Sequence, residues 1–515
     1  MKSDPCILAC DIGTSSIKTV LFTATGQVIG SASRPVQTRQ QQTGWADQDP
    51  DEWWMGFKGN VNDLMAQHPE CRQQIAAIGV SGHMLGSLAV DSNGQPLAPA
   101  LIHADTRAVA QARQIRKQVG DQSLYERTGN ILESRSSLCK LLWFKQERPE
   151  IYNRTARFLQ SKDYLTSLLT GNIDVTDLSD ASHAQWINLQ TRTYLDDVFQ
   201  ELDLDLGKMP TVQRGIDLAG VLVQSKADEL GLTAGIPVVV GAGDGCCASV
   251  GAGSALSGNF YCCLGTTAWI AYASPHPIID RQRRLFNMFS ADGKTCGVYG
   301  TTQAAGLSVT WGMDLFDDQD LQTFDRKADA IAPGSDGLIF LPYLQGERTP
   351  VFDADARAVF FGITSTHSQD HFRRAVLEGV ALALRDIIQI YREKTDVHTM
   401  RLIGGGAKSD LWRKIIADTC GLTLERLTAP AGDATSLGIA LTAAVGIGLY
   451  PDLKAAQATI AVLDRQKPNP AATAVYNQIY PIYKNLYQVN KPLFDQLSQV
   501  RQNQQSAKDS RKTVV

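Results

Sequence analysis

Short apolar runs that stop at glycine-rich turns dominate the first half of the chain, whereas the second half carries one long segment with apolar residues at steps of three and four. The opening thirty residues are of the first kind. Cys6 to Asp11 predicts a strand, Ile12-Gly13-Thr14-Ser15-Ser16 a turn, Ile17 to Phe22 a second strand, Ala24-Thr25-Gly26-Gln27 a second turn, and a third strand starts at Val28. This is a meander rather than the start of a βαβ unit. Pro50-Asp51-Glu52 ahead of Trp53-Trp54 predicts a helix to about Met65, with acids in its first turn. Strands follow at Ile75 to Val80, ending at Ser81-Gly82-His83-Met84-Leu85-Gly86, and near Pro99 to Ile102, ending at His103-Ala104-Asp105-Thr106-Arg107. Polar groups thus collect where strands end. The long periodic segment is His371 to about Lys394, with Phe372, Val376, Val380, Leu384, Ile387 and Ile388 on one buried stripe. Met400 to Ile403 reads as a strand entering Gly404-Gly405-Gly406-Ala407-Lys408-Ser409, and a helix from Asp410 to about Cys420 follows. The polar stretch from about Leu493 to Val515 reads as a frayed tail.

At 515 residues the chain has material for two to four domains of roughly 150 residues each. Lys and Arg number 49 against 53 Asp and Glu, a net charge of -4, so there is no electrostatic case for a nucleic-acid or membrane partner. The weakly polar stretch Gly235 to Gly253 is interrupted by Asp244 and by glycines, and does not make the ~20-residue apolar span that a bilayer requires. The opening MKSDPCILACDIG lacks the apolar region and cleavage site of a secretory signal, which points to the cytoplasm. Ten cysteines, at 6, 10, 71, 139, 246, 247, 262, 263, 296 and 420, contain no C-x-x-C spacing; reduced, mostly buried thiols are expected.

Around residue 250 the chain partly repeats its opening. Cys10-Asp11-Ile12-Gly13-Thr14-Ser15 is echoed by Cys263-Leu264-Gly265-Thr266-Thr267-Ala268, each flanked by apolar strands, which suggests two related halves. A Gly-Thr turn between strands lets backbone amides approach phosphate oxygens. Gly13-Thr14-Ser15-Ser16 adds hydroxyl donors, with Lys18 two residues further, although neither G-x-x-x-x-G-K-[ST] nor G-x-G-x-x-G is present; a plain hairpin is the competing reading. Gly404-Gly405-Gly406 at a strand-to-helix junction would let adenosine lie against the backbone. Asp11, just before the first turn, is placed to hold Mg²⁺ through water, and Asp244, in Gly241-Ala242-Gly243-Asp244-Gly245, is unscreened by its small neighbours. One carboxylate serving a metal and another taking a proton from a hydroxyl is the division of roles that phosphoryl transfer uses; each Asp could equally be a turn or cap residue.

Three further blocks carry a family resemblance. Ala358-Val359-Phe360-Phe361-Gly362-Ile363, seven residues, then His371-Phe372-Arg373-Arg374-Ala375-Val376-Leu377-Glu378 resembles the second signature of the FGGY carbohydrate kinases position for position. Ser137 through Lys140-Leu141-Leu142-Trp143-Phe144-Lys145-Gln146-Glu147 is similar to the first signature, with Arg135 departing from its opening residue. Leu341-Pro342-Tyr343-Leu344-Gln345-Gly346-Glu347-Arg348-Thr349-Pro350 is similar to the xylulokinase branch in particular. The resemblance implies an α/β chain of two actin-like, ribonuclease-H-like domains with an interdomain cleft: a sugar-binding domain over 1–253, an ATP-binding domain over 254–492 and the polar tail 493–515. It implies Asp244 as catalytic base and Asp11 as the metal-side acid. It implies Thr14 and Gly265-Thr266-Thr267 as phosphate contacts, which the first turn's own Gly13, Ser15 and Lys18 are expected to join, and Gly404-Gly405-Gly406-Ala407 with Ser409 as the adenosine motif.

Departures from the family pattern bear on the substrate. Xylulokinases usually read Gln-Met-His where this chain has His83-Met84-Leu85, so Leu85 stands where a sugar-binding His is expected. Gly245 replaces the usual Asn after the base, and Ala104 to Arg107 is more similar to gluconate kinases. Such swaps at groups that bond substrate hydroxyls alter specificity strongly. The expected substrate contacts are His83, Met84, Leu85, His103, Asp105 and Asp244. The expectation is an ATP- and Mg²⁺-dependent kinase of a small sugar, with D-xylulose leading, gluconate and other pentulose or polyol acceptors as alternatives, and a homodimer left open. From other classes, an actin-like ATPase would use ATP without an acceptor. A sugar-responsive regulator would need a helix-turn-helix ahead of the first strand, where only five residues precede Cys6.

Overall fold

The computed structural model describes residues 5–427 and 434–512, which divide into two compact units. The described residues of the first fall within Met1–Asn259, Tyr272–Val298 and Asp433–Ala461; the second has Phe260–Ala271, Tyr299–Gly432 and Val462–Val515. A single cut at 253/254 therefore simplifies the division, because two later segments return to the first unit. Among the described residues no helix is long and apolar enough to cross a membrane.

The first unit is built on β1 (Cys6–Ile12), β2 (Ser16–Thr23), β3 (Val28–Pro35), β4 (Ile75–Gly82), β5 (Leu218–Val221), β6 (Pro237–Val239) and β7 (Ala242–Gly243). The sheet order is β5-β6-β4-β1-β2-β3, with β7 also on β4. The meander read from the sequence is thus the β1-β2-β3 edge, and β4 joins β1 in parallel. Leu8, Cys10 and Ile12 alternate onto one face, where they join Trp53, Phe57, Val61 and Leu64 of helix Pro50–Gln67 in one core cluster. Asp49 caps that helix by accepting from Asp51 N at 3.2 Å. The opposite face receives helix Ala434–Gly446, whose Ile439 fills the space above Gly79. That helix crosses Asp244–Gly251 at backbone distance: a Cβ on Gly251 would lie 1.8 Å from Ala434 O, and one on Gly438 1.8 Å from Cys247 O. Glycine at both positions is what permits the crossing.

The second unit's sheet has β8 (Phe260–Leu264), β9 (Ala268–Ser274), β10 (Cys296–Thr302), β11 (Thr399–Ile403), β12 (Thr423–Leu427) and β13 (Val462–Gln466), neighbouring in the order β10-β9-β8-β11-β12-β13. Helix Gln369–Arg392 carries the periodic stripe, and Val376, Val380, Leu384, Ile387 and Ile388 are all at 0 % exposure. Phe372 is only half-buried and meets the Phe360 ring at 4.9 Å. The polar side of the helix is buried as well, contrary to a simple two-faced reading. Arg374 Nε donates to Glu378 at 2.7 Å, and Glu378 also accepts from Gly334 N, Ser335 Oγ and Tyr476 Oη. Up to Lys512 the stretch read as a frayed tail continues helix Pro470–Lys512, and its last residues, 513–515, lie outside the described residues.

Candidate active site

Register along the first sheet sets the central acids. Asp11 pairs with Lys18 on β2 and with Ser81 on β4, while Ala242 and Gly243 of β7 pair with Ser81 and Gly82. Three strands therefore end together, and Asp244 is the first residue past β7. Ser81 Oγ donates to Asp11 Oδ1 at 2.6 Å, and Asp244 Oδ1 accepts from Gly245 N at 2.7 Å. Burial raises the pKa of Asp11 above the usual carboxylate range, against the Ser81 bond and the Lys18 charge. Burial pushes Asp244 up to about 7, and the like charge of Asp11 adds to it. A carboxylate in that range is matched to proton transfer near neutral pH.

The strand ends expected to hold a sugar are drawn together. His83 is 3 % exposed, and neither of its ring nitrogens has a hydrogen-bond partner. Its ring centroid lies 5.6 Å from Trp53 and 5.8 Å from His103, and burial keeps it neutral, with its pKa lowered to about 3. Met84 is buried, and a Cβ on Gly243 would strike its side chain at 2.5 Å. Leu85 adopts a left-handed φ of 62°, which turns the chain and hands its carbonyl to Lys140 Nζ at 2.6 Å. The same ammonium takes Ile102 O at 2.7 Å, and Ser137 Oγ donates to Gly86 O at 2.8 Å. The start of helix Ser137–Glu147 thus clamps both loops. Asp105, expected among the substrate contacts, is tied into the protein's own loop. It is fully buried, and its carboxylate accepts from Ala46 N, Arg107 N and Arg107 Nε, so it shapes the loop after His103.

The phosphate-type turns are tight hairpins. Gly13 N donates to Ser16 O at 2.9 Å, and Thr14 O accepts from Gln48 Nε2 at 2.7 Å, while Gln48 Oε1 takes Trp53 Nε1. Ser15 is exposed, and Lys18 is held across from Asp11. In the second unit, Gly265 N closes on Thr267 O, and the start of helix Gly306–Leu315 seats on the turn through Gly306 N to Gly265 O at 2.8 Å. Cys263 of β8 pairs with Ile403 of β11, so the Gly265 turn and the Gly404 loop leave neighbouring strand ends of that unit. Gly404 has φ 92°, and a Cβ there would meet the Leu264 backbone at 2.7 to 2.9 Å, so no other residue fits. Gly405 is exposed, Ala407 is buried, and Ser409 caps helix Asp410–Cys420 through Trp412 N while donating to Asp325 at 2.6 Å.

Several residues escaped the sequence reading. Ser81 and Lys140 lay inside recognised blocks without an assigned bond. Arg107, quoted only as the end of the stretch after His103, pairs with Asp47 and Asp105 and stacks 3.8 Å over Trp45, partners that the stretch does not indicate. The cysteines are free, nine buried and Cys263 partly so, and burial raises the thiols of Cys246 and Cys247 well above their ordinary pKa. Among the described residues no cluster of three or more His, Cys, Asp or Glu could hold a metal. A hard cation here would rest on Asp11, water and phosphate oxygens, a donor set that suits Mg²⁺.

Comparison with known proteins adds to this geometry. The FGGY family of carbohydrate kinases matches with its N-terminal domain over residues 6–251 and its C-terminal domain over 260–447. A xylulose kinase from Staphylococcus epidermidis is 34 % identical over 493 residues, 95 % of this chain and 97 % of that protein. A gluconokinase from Bacillus subtilis is 28 % identical over 507 residues, 96 % of this chain and 97 % of that protein. The structure of a xylulose kinase from Lactobacillus acidophilus superposes with a TM-score of 0.90 at 26 % identity, covering 96 % of this chain and all of that one.

Proposed function

The chain belongs to the FGGY family of carbohydrate kinases, and from that premise we propose that it phosphorylates D-xylulose at its primary hydroxyl, forming D-xylulose 5-phosphate from ATP. The hydroxyl oxygen bonds to the γ-phosphorus, the bond to the β,γ-bridging oxygen breaks to release ADP, and Asp244 accepts the hydroxyl proton. Asp11 would hold Mg²⁺ through water, and the ion would supply charge neutralisation to the phosphates. Gly13, Thr14, Ser15 and Lys18 in the first unit, and Gly265, Thr266, Thr267, Gly404–Ala407 and Ser409 in the second, are assigned to the nucleotide. His83, Met84, Leu85 and His103 are assigned to the sugar.

The single observation that carries this reading is the environment of Asp244, a carboxylate held near neutrality by burial and by Asp11, at the end of the strand beside His83 and Met84. Two features favour an uncharged sugar over an aldonate. A substrate carboxylate calls for a cation with donors to spare. Lys140, whose charge is felt at His83, spends two of its three N–H donors on the Leu85 and Ile102 carbonyls, and Arg107 is paired with Asp47 and Asp105. Gluconate remains the second reading, on the Bacillus subtilis relative and the Ala104–Arg107 stretch.

The test is Asp244→Asn with a coupled ADP assay over D-xylulose, other ketopentoses, gluconate, glycerol and ribitol. Turnover is expected to fall by about 10²- to 10⁴-fold with ATP binding retained. Near-normal turnover removes the base assignment, and D-xylulose ranking among the poorest acceptors removes the substrate assignment.

A further inference from the structure

Behind the strand ends lies a charge cluster that the proposed chemistry does not use. Lys162, at 0 % exposure, faces three carboxylates that are each at most 1 % exposed: Asp163, Asp177 at 3.0 Å and Asp180 at 3.3 Å. Neither oxygen of Asp180 has a hydrogen bond. Taking such charges out of water costs several kcal/mol per ion, and apolar replacements of the same volume are often no less stable. Stability is therefore a poor reason for the cluster, and its outward bonds give a better one.

Asp177 caps helix Leu178–His183, accepting from Ser179 N at 2.7 Å and Ser179 Oγ at 2.5 Å. Ser179 Oγ in turn accepts from Gly243 N at 3.0 Å, the amide immediately before Asp244. On the other side, Ser161, the neighbour of Lys162, donates its hydroxyl to His83 O at 3.1 Å and closes the space over Gly82. One buried ammonium thus anchors two short connections, one to the main chain of Asp244 and one to that of His83. All of these residues lie in the first unit.

We infer that Lys162, Asp177 and Ser179 form a positioning relay for Asp244: Lys162 fixes Asp177, Asp177 fixes the Ser179 hydroxyl, and Ser179 fixes the Gly243 amide. None of the three touches substrate. The relay rests on the proposed role of Asp244 as base, and it gives the Ser179 hydroxyl a use in holding the Gly243 amide. Displacing a reacting group by a fraction of an ångström to 1 Å lowers turnover without removing any binding contact.

The experiment compares Ser179→Ala, Ser179→Thr and Asp177→Asn, with Asp244→Asn alongside, measuring kcat, the KM for sugar and ATP, and the melting temperature. Ser179→Ala is expected to lower kcat on the order of 10- to 100-fold while both KM values stay within about twofold, and Ser179→Thr, which restores the hydroxyl, to recover most of the loss. Asp177→Asn keeps a helix cap but removes the charge facing Lys162, and is expected to lower kcat in the same direction. A folded Ser179→Ala with wild-type kcat beside an inactive Asp244→Asn overturns the relay alone. Equal losses of kcat and melting temperature in the Ala and Thr variants also overturn it, by making the role merely structural. An active Asp244→Asn overturns the base assignment and the relay with it.

Discussion

Ser81 and Asp11 are partners across two parallel strands, and the Ser81 hydroxyl donates to Asp11 Oδ1 at 2.6 Å. The bond orients the acid assigned to the metal without neutralising it. It also opposes the burial that raises the Asp11 pKa. Ser81→Ala removes a hydrogen bond to a charged group, a change of roughly 1.5–3 kcal/mol, so the Mg²⁺ concentration for half-maximal activity is expected to rise about tenfold or more. A Mg²⁺ titration of initial rate checks this, and an unchanged midpoint would separate Asp11 from the metal.

With its pKa near 7, Asp244 is mostly protonated below neutrality and cannot accept a proton. The rate kcat/KM is therefore expected to climb tenfold per pH unit on the acid side and level off above about pH 7, read from a pH–rate profile. The same shift has a stability consequence. Between the ordinary carboxylate value of 3.8 and about 7 the folded state binds the proton more tightly than the unfolded chain, so this group lowers stability as pH rises through that window. Asp244→Asn lacks that cost. Its melting temperature is expected to exceed that of the parent at pH 8, with the difference vanishing below about pH 4, by calorimetry across pH.

Lys140 bonds two carbonyls, that of partly buried Leu85 and that of fully buried Ile102. Lys140→Met leaves the buried Ile102 carbonyl without this donor, at about 1–3 kcal/mol, and frees the left-handed turn at Leu85. The expected result is a lower denaturant midpoint together with a KM for sugar raised more than the KM for ATP. Equal changes in both KM values would argue against a local clamp on the sugar loops.

Gly404→Ala places a methyl against the Leu264 backbone in a conformation that L residues rarely adopt. Because the obstacle is main chain, β8 and β11 must shift, at a cost of roughly 1–3 kcal/mol. Nucleotide affinity, measured by calorimetric titration, is expected to fall while the affinity for sugar alone is kept. Gly405→Ala, with open space around its Cβ position and no positive φ, serves as the stability control and is expected to keep the parent melting temperature.

Much of the fold was legible because it is local. The meander, the helix from Pro50, the stripe of Gln369–Arg392 and the strand entering Gly404 all follow from short-range periodicity and turn residues. Asp11 and Asp244 were legible for a related reason: each is a single charge among apolar or small residues beside a glycine turn. The burial of Arg373, Arg374 and Glu378 was not, since their neighbours come from Asp318, Tyr476 and the 334–335 turn.

The order of strands and helices, the tight turns and the two acids were determined by the sequence itself, because backbone preference and side-chain size act over a few residues. Tertiary structure alone decided which oxygens and amides those acids, histidines and lysines meet. Ser81 reaches Asp11 over 70 positions, Lys140 reaches Leu85 over 55, and Ser179 reaches Gly243 over 64. Such bonds depend on strand register and helix crossing, which are set by the packing of the whole sheet and leave no mark on the residues next to them in the chain.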